Sequence, residues 1–120
     1  MIITATTGRS DPPPLFHGSW IRLGTHLSRT GADARGRREL RPEPFVRARV
    51  FCDLPARARR MAESRHAPAD TVLTPLGHVL TGRAEGRIED RDITVLDGSG
   101  IGVRDLCPGP ALLEKMDISL

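Results

Sequence analysis

Tyrosine is absent from this 120-residue chain and tryptophan occurs once, so aromatic residues make up only 3% of it. A core built from this composition must be aliphatic and thin, and the stacking residues on which single-stranded nucleic acids lie are missing. Lysine is nearly absent as well. Every basic residue except Lys115 is arginine, and the 18 bases are interspersed with 15 acids. The net charge of +3 and the pI near 9.6 are therefore diluted along the chain, which leaves a small basic nucleic-acid-binding protein the least favoured class.

Cysteine is scarce. Cys52 and Cys107 stand alone without CxxC spacing, which excludes a disulfide scaffold and a zinc ribbon, and both read as small packing residues in a reduced compartment. His17, His26, His66 and His78 share no two-ligand spacing on one element, so no metal is expected. No stretch approaches the ~18 consecutive apolar residues of a membrane span. The opening Met1-Ile2-Ile3 run has no charged flank and is too short for a signal peptide. The expectation is one soluble, cytoplasmic α/β domain with no membrane partner.

The chain reads as alternating strands and short helices. Residues 1–6 carry the β-formers Ile2, Ile3, Thr4, Thr6 and predict a strand. Asp11-Pro12-Pro13-Pro14 is a stiff turn, and Trp20 is the only large aromatic anchor near the start. Residues 25–30 predict a second strand. Residues 42–45 form a turn or a single helical turn, and Val46, Ala48 and Val50 alternate with Arg47 and Arg49 to predict a third strand over 46–53, both arginines being solvated. Pro55 opens a short basic helix over 55–64. Thr74-Pro75 starts another through Gly82, with Leu76, Val79 and Leu80 on one face and Gly82-Arg83 as its C-cap. Residues 93–96 are the last strand, followed by the glycine loop Gly98-Ser99-Gly100-Ile101-Gly102.

That loop imitates a dinucleotide fingerprint, but the third glycine position is occupied by Val103 and no βαβ unit follows within the chain. Beyond it, Cys107-Pro108-Gly109-Pro110 interrupts the last helix, which resumes no earlier than residues 111–115. The expected organisation is a domain over 1–106 and an irregular tail over 107–120.

Residues 25–40, THLSRTGADARGRREL, organise the rest: a strand that breaks into an Arg/Gly-rich turn at Gly31-Ala32-Asp33. A carboxylate just past a strand end in an α/β fold lies where ligands bind; the plain alternative is that Asp33 caps the turn. The segment Gly31-Ala32-Asp33-Ala34-Arg35-Gly36-Arg37-Arg38-Glu39-Leu40 resembles the G-[GA]-D-x-P-G-K-x-E-L segment of the ornithine cyclodeaminase/mu-crystallin family. Two further stretches agree in the same order: Thr4-Ala5-Thr6-Thr7, followed by residues 18–26, and Asp92-Ile93-Thr94-Val95-Leu96-Asp97-Gly98-Ser99-Gly100.

The resemblance covers nearly the whole chain but only the C-terminal third or so of a family member. It implies a partial Rossmann-like fold, the second half of a dinucleotide-binding domain, with an open, mostly parallel sheet and flanking helices. It implies NAD or NADP as cofactor and a small amino acid or cyclic imine as substrate. The family reaction moves a hydride from the substrate α-carbon to NAD and returns it after the side-chain amine has displaced ammonia, giving proline from ornithine; other members reduce imines or oxidise amino acids.

By the same resemblance Asp33 is the catalytic proton donor and acceptor, and Thr6, Thr7, Thr30, Gly31, Ala32, Arg37 and Gly98 face the cofactor. Ser99 lies near substrate. For Thr6 and Thr7 the plain reading is that threonines fill a strand end. Arg35 and Arg37 depart from the family's Pro and Lys, and Gly98 from its Ser. The resemblance further implies a homodimer or pairing with a missing N-terminal half, without which the chain holds part of a cofactor site and no turnover is expected. A reading from another class is a non-catalytic remnant that binds a partner through exposed strand edges.

Overall fold

The computed structural model describes residues 1–6, 15–30, 39–102, 106 and 108–116. Its centre is a five-stranded sheet, all parallel, in the order β1-β2-β5-β3-β4. The strands are β1 (Ile2–Thr4), β2 (His26–Arg29), β3 (Ala48–Cys52), β4 (Leu73–Pro75) and β5 (Ile93–Asp97).

Register explains how the sheet is held. Ile2, Leu27, Val95, Val50 and Leu73 are paired in one row across all five strands. Side chains alternate between faces, so one face carries this aliphatic row. Ile21, Leu40 and Phe45 pack on it to complete the main core with Ile93. Full burial of a residue such as Leu27 or Val95 contributes ~1.5–3 kcal/mol, and both are at most 1% exposed. Two residues further along, the same face carries Thr4, Arg29, Asp97, Cys52 and Pro75. The row turns from aliphatic to ionic as the strands reach their carboxyl ends. Beside it Ala58 of α2 (Pro55–Met61) and Ala62 close over Cys52 as a second small core.

Several expectations are corrected at the boundaries. The third strand does not begin at Val46: Pro42 and Pro44 open a helical turn, α1 (Glu43–Arg47), so Val46 is exposed and the strand starts at Ala48. Arg49 is half buried, and its Nε is buried without a partner. Thr74-Pro75 leads into the helix as expected, Pro75 being its N-cap, but both residues also close the outer strand, where a missing N–H breaks no ladder. In the following α3 (Leu76–Leu80), Leu76 and Val79 line a cavity together with His26, Phe51 and Thr94 of the sheet, while Leu80 is exposed. Its end is as expected, with Gly82 at φ +70° donating its N–H to the Val79 carbonyl. The helix over 55–64 gives way after Met61 to a 3-10 turn, Glu63–His66.

Trp20 is not an anchor. It lies 63% exposed on the 3-10 turn Gly18–Trp20 with its ring edge-on to His17, and Ile21 enters the core in its place. The tail is helical from Pro108, forming α4 (Pro108–Lys115). Pro108 and Pro110 fall in its first turn, where the N–H groups have no intrahelical partner to lose. The part of the last helix expected ahead of Cys107 lies largely outside the described residues.

Candidate functional site

The ionic row at the strand carboxyl ends is a closed network around Arg29. Its Nη2 donates to Glu39 Oε2 and Glu63 Oε2, both at 3.1 Å, and its Nη1 reaches Asp97 Oδ1 at 3.5 Å. All four residues are at most 1% exposed. Charges removed from water this far persist only when paired and hydrogen-bonded.

Glu39 gathers the ends of β1 and β2. Its Oε1 accepts the N–H of Thr6 at 2.7 Å and the Thr6 hydroxyl at 2.6 Å. Its Oε2 accepts the Thr4 hydroxyl at 2.8 Å beside Arg29. Burial pushes the Glu39 carboxyl up, but the hydrogen bonds from Thr6 and Thr4 and the Arg29 charge outweigh it, and the group lies below its usual value. Glu63 accepts the backbone N–H groups of Glu39 and Leu40. Asp97 accepts the Ser64 N–H at 2.6 Å and the Ser64 hydroxyl. Here burial dominates, the Glu63 charge adds to it, and Asp97 lies above its usual value despite Ser64 and Arg29.

A second network fixes the glycine loop. Asp53, just past β3, accepts the Ser99 N–H at 2.7 Å and the Ser99 hydroxyl at 2.6 Å. Arg57 of α2 donates to the Ser99 carbonyl at 3.0 Å. Gly98 is buried and donates its N–H to the Arg29 carbonyl, which ties the loop back to the first network.

Of the residues expected at the site, Thr6 and Thr30 are exposed at adjacent strand ends. The Thr30 N–H and hydroxyl both donate to the Thr4 carbonyl. Gly98 lies just past β5, with its N–H on the Arg29 carbonyl. Ser99 is fully buried, and its N–H, hydroxyl and carbonyl are engaged by Asp53 and Arg57. Thr7, Gly31, Ala32, Asp33 and Arg37 lie outside the described residues. The segment 31–38 is nevertheless bracketed by the network, since Arg29 stands before it, Glu39 after it, and the two form an ion pair.

Sequence reading missed Arg29, Glu39, Glu63 and Asp97 as a unit. The available signal was the alternation itself, which puts Arg29 two residues from Leu27 and Asp97 two from Val95 on the core face. Among the described residues no group of three His, Cys, Asp or Glu can hold a metal. Cys52 is a free buried thiol, raised to about 11 by burial and by the Asp53 and Asp97 charges, and is chemically quiet.

An open parallel sheet with flanking helices and a polar crest at the strand carboxyl ends defines a partial Rossmann-like α/β fold, the second half of a dinucleotide-binding domain. The model of the ornithine cyclodeaminase/mu-crystallin family matches residues 1–117, and the chain belongs to that family. The iminosuccinate reductase of Paracoccus denitrificans is 33% identical over 119 residues, which is 95% of this chain and 36% of that protein. Its structure in complex with NAD+ superposes with a TM-score of 0.80 at 32% identity, over 94% of this chain and 35% of the other. The ornithine cyclodeaminase of Brucella abortus is 29% identical over 98% of this chain and 35% of its own length. An archaeal alanine dehydrogenase dimer with bound NAD shares the fold at a TM-score of 0.82 and 24% identity, over 98% of this chain and 39% of the other. The chain thus spans little more than a third of the relatives it matches.

Proposed function

We propose that this chain supplies the nicotinamide-side half of the NAD(P) site of an ornithine cyclodeaminase-like enzyme, with Asp33 as the group that gives and takes the substrate's proton. The observation that carries the reading is the Arg29–Glu39 pair at the carboxyl ends of the parallel strands, bracketing the segment that holds Asp33. A bound dinucleotide would supply hydride acceptance and return. This chain's residues would line it with the Thr6, Thr7 and Thr30 side chains and with small-residue backbone at Gly31, Ala32 and Gly98, and Arg37 would add a positive charge. Ser99 acts in this reading by fixing the glycine loop.

The residues fit half a site. The sequence has no G-x-G-x-x-G phosphate loop, so the pyrophosphate side must come from elsewhere. The substrate class is an ornithine-type amino acid or a related cyclic imine, and turnover by the chain alone is not expected. A cytoplasmic setting goes with a free, buried Cys52.

The test is a chimera in which this chain replaces the matching third of the Paracoccus denitrificans iminosuccinate reductase. It should bind NADH and reduce iminosuccinate, and Asp33→Asn should keep NADH binding while losing turnover. A folded chimera that does not bind NADH, or an Asp33→Asn chimera with full activity, overturns the reading. A second reading, a non-catalytic module that pairs with a partner strand, is favoured by the edge of β1, which no strand among the described residues pairs and where Met1 and Ile3 are exposed.

A further inference from the structure

The geometry points to a small-molecule site on the back of the sheet: the cavity between α3 and strands β2, β5 and β3 binds a monocarboxylic acid with a compact apolar body. The body lies on Phe51, Leu76 and Val79, and the carboxylate meets His26 and Arg87. This inference is independent of the enzyme reading, because the cavity and the Arg29 network occupy opposite faces of the sheet.

Leu27, Val95 and Val50 carry the core row, so His26, Thr94 and Phe51, each one residue away along its strand, point to the other face. Leu76 and Val79 of α3, with Gly86 and Arg87 of the loop that follows, complete the wall around a cavity of about 330 Å³. That lies at the small end of ligand cavities, and its floor of Phe51, Leu76 and Val79 is apolar. Gly86 keeps the space open, since a Cβ there would stand 3.1 Å from Val79 Cγ1.

Hydrogen bonding decides what the polar end presents. The buried Thr94 hydroxyl lies 3.0 Å from Arg87 Nη2 and 2.8 Å from His26 Nδ1. A guanidinium can only donate, so Thr94 accepts from Arg87. The Thr94 proton then goes to Nδ1, because the reverse assignment leaves a buried hydroxyl proton without an acceptor. This requires a neutral imidazole, and burial holds His26 below its usual value, with the charges of Arg87 and the chain's amino terminus adding to the effect. The ring proton therefore sits on Nε2, a donor with no partner among the described residues. Arg87 is braced beside it, its Nη1 donating to the Asp92 carbonyl at 2.6 Å and the Asp90 carbonyl at 3.2 Å. The cavity thus offers donors and a positive charge above an apolar floor, and no acid stands among its described lining residues. The one side-chain acceptor among them is the buried Thr94 oxygen, already receiving Arg87, so the ammonium group of an α-amino acid finds no ready partner.

Titration of the purified chain with phenylacetate, followed by nuclear magnetic resonance, tests the site. The His26 ring, Thr94 and the Leu76 and Val79 methyl signals should shift saturably, while acetate, which lacks the body, and benzylamine, which carries the opposite charge, should leave them unmoved. The ring titration of His26 should move upward at saturation, since a carboxylate beside it favours the charged form. His26→Phe keeps the wall and removes the donor, and should weaken binding by roughly tenfold, the equivalent of one lost hydrogen bond at ~1.4 kcal/mol. Gly86→Val fills the cavity against Val79 and should abolish binding; where the larger side chain costs the fold, His26→Phe decides alone. No saturable shift with phenylacetate, an equal response to acetate or benzylamine, undiminished affinity in His26→Phe, or shifts confined to Thr6, Thr30 and Gly98 at the strand carboxyl ends would each overturn the site.

Discussion

Replacing Arg29 by methionine should unfold a large part of what this domain has in reserve. Methionine fills much of the arginine volume, so the change isolates the charge: Glu39, Glu63 and Asp97, all at most 1% exposed, lose the one guanidinium that faces all three. Breaking a buried ion pair by removing one partner costs about 3–5 kcal/mol. A domain of this size holds about 5–15 kcal/mol in total, so Arg29→Met should lose roughly a fifth or more of its stability at neutral pH.

The pH dependence carries the diagnosis. Asp97 already lies above its usual value through burial, and without the Arg29 charge that opposes the rise its carboxyl favours the protonated form further. Stability linked to such groups is present at low pH and lost as pH rises through the folded values. The gap between Arg29→Met and the parent should therefore narrow as pH falls from neutral toward the ordinary carboxylate range. Arg29→Lys keeps the charge but not the fork that spans three partners, and should fall between the two. Urea denaturation at a series of pH values measures all three proteins. A variant within about 1 kcal/mol of the parent at neutral pH, or a gap that does not close on acidification, would refute the reasoning that the cluster is held by this one guanidinium.

Ser64→Ala removes the N-terminal-turn hydroxyl that donates to Asp97 and should cost about 1–3 kcal/mol by leaving a buried carboxyl short of a donor, read by the same denaturation assay. Gly24→Ala should be similarly costly, about 1–3 kcal/mol, because Gly24 sits at φ +79° and an added Cβ would come within 2.8 Å of the Asp90 carbonyl oxygen. Glu39 lies below its usual 4.5, so it contributes stability that is complete above that value and lost as pH falls through its folded-state value; Glu39→Gln should flatten the acid limb of the stability profile. Cys52, fully buried and raised to about 11, should resist alkylation at pH 8 in the native protein and react at once in urea.

The strands were legible because their aliphatic residues alternate: Leu27, Val50 and Val95 mark β2, β3 and β5, and residues 93–96 lack only Asp97 of the observed strand. Boundaries were lost where one residue type serves two elements. Val46 continues an alternating pattern, yet the two preceding prolines make its backbone helical. Pro75 reads as a helix opener and is one, but it is also the last residue of an edge strand. Pro108 and Pro110 read as breakers and instead lie in the first turn of α4.

The site divided along another line. Family motifs led to Asp33, Thr6 and Thr30, while the Arg29 network passed unseen because charged residues at strand ends look solvated until register places them on the core face. The hold on Ser99 was hidden for a related reason: its partner Asp53 is 46 residues away in sequence, so nothing local showed that its hydroxyl is engaged.

Calorimetric titration of NAD into the purified chain, followed by amide exchange with and without the dinucleotide, tests the half-site most directly. The account predicts weak binding, far short of the micromolar affinity of a complete site, with exchange slowed at Thr6, Thr30 and Gly98 where the strand ends meet the ligand. Micromolar binding by the chain alone, or slowed exchange confined to residues away from those strand ends, would contradict it.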